Sequence, residues 1–382
     1  MTDHLDRAVE TTGLDDFGDP SFREGLDRFV DALEREASLS PIGQAMADGL
    51  IQGALVNRLR VTAWHTAHPE LEQERIDAPL VIVGMSRSGT TALSHLLGKD
   101  PNLRCLLAWE TNESIPPPET ATYGSDPRFL AAKARDAAME AAMPGFRALH
   151  YDPPDAPMEC SLLFNQTFNS SALWSTFHVP SYMDWTLATD ATANFAYHER
   201  LLKLLQSRKP GRWCLKAPQH ATTLAALRVR YPDARLIVTH RDPTVCAAST
   251  MSLCAFLQGQ TGRAPDSRAF ARRVADFIAL CCDRLVDWAD RSGDDDLIHV
   301  PYGELVSSPI ATAEKVAAAA GHAITPVARA AMERHVRERT QHRYGVHRYA
   351  LEDYGFTREA LDERYRAYRE RFGVPLERRG GR

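Results

Sequence analysis

The residues with the clearest chemical potential form a glycine-bearing loop near residue 85. Gly84 and Gly89 keep the spacing of the nucleotide-phosphate loop G-x-x-x-x-G-K-[ST], but Thr90 stands in place of the lysine and Thr91 follows it. The nearest cation is Arg87. Amides at a helix N-terminus carry partial positive charge and bind anions. This loop therefore suits a phosphate-like anion, whereas a kinase or ATPase would lack the lysine that reaches the β- and γ-phosphates.

The stretch Arg87-Ser88-Gly89-Thr90-Thr91 resembles the 5′-phosphosulfate loop of the superfamily of sulfotransferases that use 3′-phosphoadenosine 5′-phosphosulfate (PAPS). The similarity is to tyrosylprotein sulfotransferases and to a large group of bacterial sulfotransferases. It implies transfer of a sulfuryl group from PAPS to a hydroxyl or similar acceptor, with release of the 3′,5′-bisphosphate PAP. It also implies that residues 87–91 bind the donor: Arg87 would contact the 5′-phosphate and the bridging oxygen, and Thr90 and Thr91 the phosphosulfate oxygens.

A second anion site, which a PAPS enzyme needs for the 3′-phosphate, is predicted at Arg241. This arginine follows the apolar run Leu236–Val238, and parallel α/β sheets bind ligands where such strands end. Ser249 lies eight residues later, two turns into the predicted helix that Asp242-Pro243 begins. A guanidinium with a hydroxyl suits a phosphate, and this spacing is similar to the family's 3′-phosphate motif. The alternative is a structural ion pair at Arg241.

Sulfuryl transfer needs a general base near the acceptor hydroxyl, and three residues are candidates. Glu110 is the first choice, because tyrosylprotein sulfotransferases place a glutamate before a threonine, here Thr111, at nearly this distance from the loop helix. His220 is the second choice, because it precedes Arg241 by 21 residues, similar to the catalytic histidine of cytosolic sulfotransferases. Glu159 is the third, with a structural role favoured. A structural role is the alternative for the other two as well.

Cations are expected near the bridging oxygen, because negative charge grows on the leaving phosphate during transfer. Arg87 and Lys216 can supply that charge, so the expected mechanism needs no metal. Lys216 ends the apolar run 213–215, and the segment Leu215–His220 resembles one in the bacterial group. The basic cluster Arg343–Arg348 is either a late phosphate-contacting loop or a solvated surface.

The elements around these motifs predict an α/β protein with a P-loop-type parallel sheet flanked by helices. Continuous apolar runs such as Leu80–Val83 are typical of strands buried on both faces, and they alternate with helical patterns. The predicted organisation is an N-terminal helical region (1–78), an α/β sulfotransferase core (79–322) and a C-terminal helical region (323–382).

The stretch 109–210 within the core is either a substrate-side insertion or an ordinary helical subdomain. Its aromatic residues include Trp174, Phe177, Tyr182 and Trp185, which either line an apolar pocket or belong to the core. A pocket of this kind would favour a phenol, a lipid or a hydrophobic natural product as the small-molecule acceptor.

Composition limits the partners and the location. The chain has 382 residues and a net charge of −5, with 45 Lys and Arg against 50 Asp and Glu, so it lacks the basic excess of nucleic-acid binders. The N-terminus is acidic, and the apolar runs are strand-sized, far below the ~18 residues of a membrane span. Seven scattered cysteines suit a reducing compartment. A cytoplasmic protein without stable membrane insertion is expected; the sequence does not predict its oligomeric state.

Two other functions are compatible with a phosphate loop. One is an atypical nucleotide kinase or NTPase that uses the loop without its usual lysine. The other is a non-catalytic P-loop binding module. The presence of two anion sites in the expected order favours the sulfotransferase over both.

Overall fold

The computed structural model describes residues 2–142, 153–262, 267–338 and 351–377. The basic cluster Arg343–Arg348 lies outside these described residues. Within them, no helix is both long and apolar enough to cross a membrane.

The described part of the chain is mostly helical. Its α-helices are α1 (Thr2–Thr12), α2 (Phe22–Glu36), α3 (Pro41–Ala67), α4 (Thr90–Leu97), α5 (Ala108–Asn112), α6 (Pro127–Ala142), α7 (Cys160–Phe164), α8 (Ser171–Thr176), α9 (Pro180–Ala188), α10 (Thr192–Gln206), α11 (Leu224–Arg230), α12 (Pro243–Thr261), α13 (Ser267–Ser292), α14 (Tyr302–Ser307), α15 (Pro309–Ala319), α16 (Pro326–Glu338), α17 (Arg358–Arg364) and α18 (Arg366–Phe372). Short 3₁₀ helices span Pro69–Gln73, Thr120–Ser125, Asn165–Thr167, Pro218–Thr222, Asp294–Asp296 and Glu352–Tyr354.

One parallel sheet forms the centre of the fold. Its strands are β1 (Leu80–Val83), β2 (Leu103–Arg104), β3 (Arg212–Lys216), β4 (Arg235–His240) and β5 (Leu297–Pro301), in the order β2-β3-β1-β4-β5. The predicted α/β class is therefore confirmed. Because β1 lies between β3 and β4, the carboxyl ends of these three strands are neighbours. Lys216, the loop after β1, and Arg241 consequently meet at the same edge of the sheet.

The sheet separates two hydrophobic cores, which explains why β1 is apolar throughout. Val81 and Val83 face the larger core, whereas Leu80 and Ile82 face the smaller one, which α4 and α15 cover. The larger core also includes side chains of the N-terminal and C-terminal helices. A strand enclosed on both faces has no polar side, so its sequence does not alternate.

The four aromatic residues that the sequence singled out in the 109–210 stretch belong to this larger core or pack against it: Trp174, Phe177, Tyr182 and Trp185. Trp174, Phe177 and Tyr182 are each at most 2% exposed. The Phe29 ring of α2 packs against both Phe177 and Tyr182, with centroids 5.7 and 5.1 Å away. Trp185 is partly buried and donates from Nε1 to Glu24. These contacts explain the aromatic residues by packing, so they no longer argue for a hydrophobic acceptor.

Candidate active site

The turn after β1 has the backbone shape of an anion-binding loop. Gly84 and Gly89 adopt φ angles of +154° and +103°, and a Cβ on Gly89 would lie 3.1 Å from the Tyr302 side chain, so both positions favour glycine. Gly89 precedes α4, whose first helical hydrogen bond runs from the Leu93 N–H to the Gly89 carbonyl. The amides at the start of the helix therefore point out of its end, where they can donate to an anion.

Ser88 holds this loop to the sheet. Its hydroxyl is fully buried, donates to the Met85 carbonyl at 2.7 Å and lies 2.7 Å from Thr239 Oγ1 in β4. The Ser88 amide also donates to the Met85 carbonyl. The Ser88 hydroxyl thus has a structural role in this loop, and binding of the sulfuryl donor by Ser88 stays a prediction. Thr90, at the start of α4, is only 3% exposed.

Arg87 is the exposed cation of the loop. It has a φ of +70°, in the left-handed region that costs a non-glycine residue roughly 1–2 kcal/mol. Strained residues of this kind cluster at active sites and ligand clamps. Its Nε donates to Ser249 Oγ at 3.1 Å. The structure thus brings together the arginine and the serine that the sequence assigns to opposite ends of the nucleotide.

Lys216 connects the phosphate loop to a carboxylate. It ends β3 beside Ile82 of β1, and its side chain is 1% exposed. Its Nζ donates to Thr91 Oγ1 at 3.1 Å and to Glu159 Oε1 at 3.2 Å. A buried ammonium needs an anionic partner of this kind. The Lys216 ammonium is therefore held within hydrogen-bonding distance of Thr91, at the end of the loop.

Glu159 is the carboxylate at this edge of the sheet. It immediately precedes α7, and its side chain is 26% exposed. Besides contacting Lys216, it accepts a hydrogen bond from Ser161 Oγ at 3.3 Å. It is thus close to the loop, in contact with a cation and still reachable from solvent.

Arg241 lies directly beside the loop. Its Nη1 donates to the Arg87 carbonyl at 3.0 Å, and its guanidinium lies 4.0 Å from the centre of the Tyr302 ring. Its Nε and Nη2 donate to the two carboxylate oxygens of Glu377 at 2.8 and 3.0 Å. Burial lowers the pKa of Arg241, but the hydrogen bonds to Glu377 together with the charges of Glu377, Cys246 and Tyr302 outweigh burial, so that pKa lies above its ordinary value.

Glu110 has a set of partners unlike that of the other candidates. It is fully buried, and Oε1 accepts from Arg104 Nη2 at 3.0 Å while Oε2 accepts from the Leu107 amide at 3.3 Å. In the sheet, Arg104 pairs with Trp213, which precedes Lys216 by three residues. The ion pair of Glu110 is therefore anchored about 10 Å from Lys216 along β3. These contacts describe a buried ion pair that also closes the N-terminus of α5.

His220 lies within the larger core. Its ring stacks on Phe195 with centroids 5.7 Å apart, and burial lowers the pKa of His220 to about 3. No described residue hydrogen-bonds either ring nitrogen. The His220 ring is therefore neutral and, at 1% exposed, enclosed by the core.

Acid should destabilise the fold through its buried histidines. Burial lowers the pKa values of His220 and His240 to about 3, and the neighbouring His299 adds to the effect at His240. The unfolded chain binds these protons below pH ~6.5, whereas the folded chain does so only near pH 3, so the free energy of unfolding falls as the pH falls between these values, by up to ~1.4 kcal/mol per pH unit per histidine. Urea denaturation at pH 7.5, 6.5 and 5.5 should show the decline. His220→Phe should reduce its slope; an unchanged slope would contradict this account.

Two residues at the site are absent from the sequence prediction. Tyr302 follows β5 and contacts both Arg241 and the Gly89 face of the loop. Glu377 reaches Arg241 from 136 positions away. Tyr302 directly follows β5, so the end of that strand could have marked it, but no local pattern marks Glu377.

Comparison with known proteins identifies the family. The sequence profile described as "Sulfotransferase family" matches residues 79–326. The fold is similar to that of sulfotransferase STF9 from Mycobacterium avium, with a TM-score of 0.92, 31% identity and coverage of 99% of this chain and 98% of that one. It is also similar to sulfotransferase STF1 from Mycobacterium tuberculosis H37Rv, with a TM-score of 0.85, 30% identity and coverage of 96% and 98%. No curated protein sequence matches the chain. Because the profile covers more than half of the chain and two solved sulfotransferases with at least 30% identity align with nearly all of it, this protein belongs to the sulfotransferase family.

Proposed function

We propose that this sulfotransferase uses PAPS as its donor and transfers the sulfuryl group to a hydroxyl or similar acceptor. The observation that supports the donor most is the adjacency of the two anion-binding arginines. Arg87 contacts Ser249 at 3.1 Å, and Arg241 contacts the Arg87 carbonyl at 3.0 Å. One adenosine bisphosphate can therefore reach both places. A nucleotide without a 3′-phosphate would leave Arg241 unused.

The residues of the loop fit the phosphosulfate end of such a donor. PAPS supplies the sulfuryl group and a 5′-phosphate as the leaving group. The amides at the start of α4 and the Arg87 guanidinium would bind this end, and Lys216, held 3.1 Å from Thr91, would stand next to it. Cations and amides fixed in place before the reaction stabilise the charge that grows on the leaving oxygen.

We propose Glu159 as the general base. As the acceptor oxygen bonds to sulfur and the bond to the bridging oxygen breaks, the acceptor proton would pass to the Glu159 carboxylate. Glu159 lies 3.2 Å from Lys216 and is 26% exposed, so a substrate hydroxyl can approach it. Glu110 already binds Arg104 and the Leu107 amide with its two oxygens, and His220 is enclosed. These contacts support Glu159 over Glu110, the first choice from the sequence.

Binding of PAP should distinguish this proposal from an NTPase function. A ligand at 100 times its dissociation constant stabilises a protein by ~2.7 kcal/mol, and PAP should raise the thermal unfolding temperature accordingly. ADP has the same base and two phosphates, but none at the 3′ position, so it should protect much less. Thermal unfolding with each nucleotide measures the difference. Equal protection by ADP, or turnover of ATP with magnesium, would contradict PAPS as the donor.

A further inference from the structure

The C-terminal segment after α18, residues 373–377, contacts Arg241, the arginine proposed to bind the 3′-phosphate. Gly373 ends α18 with a φ of +62°, and the Val374 amide returns to the Arg369 carbonyl at 2.9 Å. Val374 is 8% exposed and packs against the larger core. The chain is therefore anchored three residues before Glu377.

The backbone of Glu377 is held independently of its side chain. Its N–H donates to Asp242 Oδ2 at 2.9 Å, and its carbonyl accepts from Arg358 Nη2 at 2.6 Å. The Asp242 side chain is fully buried and caps α12, directly after Arg241. These contacts hold the segment against Asp242, the residue next to Arg241. The fixed backbone of Glu377 therefore keeps its carboxylate near the Arg241 guanidinium.

The Glu377 carboxylate occupies the part of Arg241 that a phosphate would bind. It accepts from Nε and Nη2 at 2.8 and 3.0 Å, the two-pronged geometry that carboxylates and phosphates share as partners of a guanidinium. A carboxylate that remained there would repel a phosphate brought to the same group, because two like charges at contact distance destabilise each other. The anion of the chain and the anion of a ligand therefore compete for one guanidinium.

We propose that Glu377 sets the affinity of this enzyme for its nucleotide, because its carboxylate occupies Arg241 until the 3′-phosphate displaces it. The inference rests on the proposed PAPS site and adds an element to it: the C-terminal segment acts as an internal competitor for the 3′-phosphate. The pair is partly exposed, with 19% of the Arg241 side chain and 35% of the Glu377 side chain accessible. Removal of the competing charge should therefore tighten binding about fivefold, the upper end of the range for a partly exposed ion pair.

Calorimetric titration of the full chain with PAP and with AMP tests the proposal. Glu377→Gln keeps the shape of the side chain without its charge, and Glu377→Ala removes the hydrogen-bonding group as well. Both should bind PAP about fivefold more tightly than the wild type and AMP with unchanged affinity, since AMP has no 3′-phosphate. The matched control is Glu370→Gln, which removes the same charge from an exposed pair with Arg366 on α18 and should change neither affinity.

Two results would overturn the proposal, and they have different meanings. If the wild type prefers PAP to AMP but both Glu377 variants bind PAP equally or more weakly, Glu377 is not a competitor and the PAPS site stands. If neither the wild type nor the variants distinguish PAP from AMP, the 3′-phosphate site at Arg241 fails, together with the competitor.

Discussion

Replacing Glu159 with glutamine should lower kcat for sulfuryl transfer by about 10²–10³-fold, because an amide cannot accept the acceptor proton. In the wild type, Lys216 Nζ lies 3.2 Å from the Glu159 carboxylate. Glutamine keeps the size of the side chain and an oxygen that can still accept this hydrogen bond. The affinity for PAP should therefore change little. Glutamine also removes the anionic partner of the buried Lys216, so some stability should be lost as well. A loss in kcat of the folded variant at constant PAP affinity identifies a group that acts in the reaction, whereas a merely structural residue would lose stability without a loss in kcat. Mass detection of the sulfated acceptor measures the rate.

The control for Glu159 is a carboxylate of similar exposure away from the site. Glu199, 24% exposed and paired with Arg230, should tolerate replacement by glutamine with full activity. Glu159→Asp should be faster than Glu159→Gln and slower than the wild type, since aspartate keeps a carboxylate on a side chain one methylene shorter. If Glu159→Gln retains its rate while the glutamine variant of Glu110 or His220 loses about 10²-fold at unchanged stability, the base is that other residue.

Removal of the Glu110 carboxylate should mainly reduce stability. Glu110→Ala leaves the Arg104 guanidinium, 1% exposed, without its ion-pair partner. A buried charge without a partner lowers the free energy of unfolding by about 3–5 kcal/mol. Arg104 is held in place by the Trp213 ring, 4.7 Å from its guanidinium, and by the Leu205 carbonyl at 3.0 Å, so it cannot turn to solvent without disturbing β3. Urea denaturation measures the expected fall in the free energy of unfolding.

Two further variants separate this cost from a general effect of losing a glutamate. Glu119→Ala breaks an exposed pair, with side chains of Arg208 and Glu119 that are 45% and 50% accessible, and should cost at most about 1 kcal/mol. The double variant Arg104→Met with Glu110→Met should recover much of the stability, because it removes both buried charges. A loss below 1 kcal/mol for Glu110→Ala, combined with a large fall in kcat, would restore Glu110 as the base.

The features that the sequence predicts correctly are those that depend on short-range order. The apolar run of β1 indicates a strand enclosed on both faces, and the sheet confirms it. Gly84 and Gly89 mark a loop whose backbone angles exclude most other residues. The sulfotransferase family, predicted from the Arg87 loop and the motif around Arg241, is confirmed by the family match and by the solved structures.

The amino-acid sequence by itself thus determined the sheet, the glycine-bearing turn after β1 and the family, since strand, turn and helix signals act over a few neighbouring residues. Only the tertiary structure decided which side chains meet. Glu159 reaches Lys216 across 57 positions and Glu377 reaches Arg241 across 136, while Glu110, with an equally plausible spacing, is enclosed beside Arg104. The physical reason is that such contacts depend on how whole helices pack on the sheet and on which charged side chains remain exposed to solvent. The spacing of residues along the sequence specifies neither the packing nor the exposure.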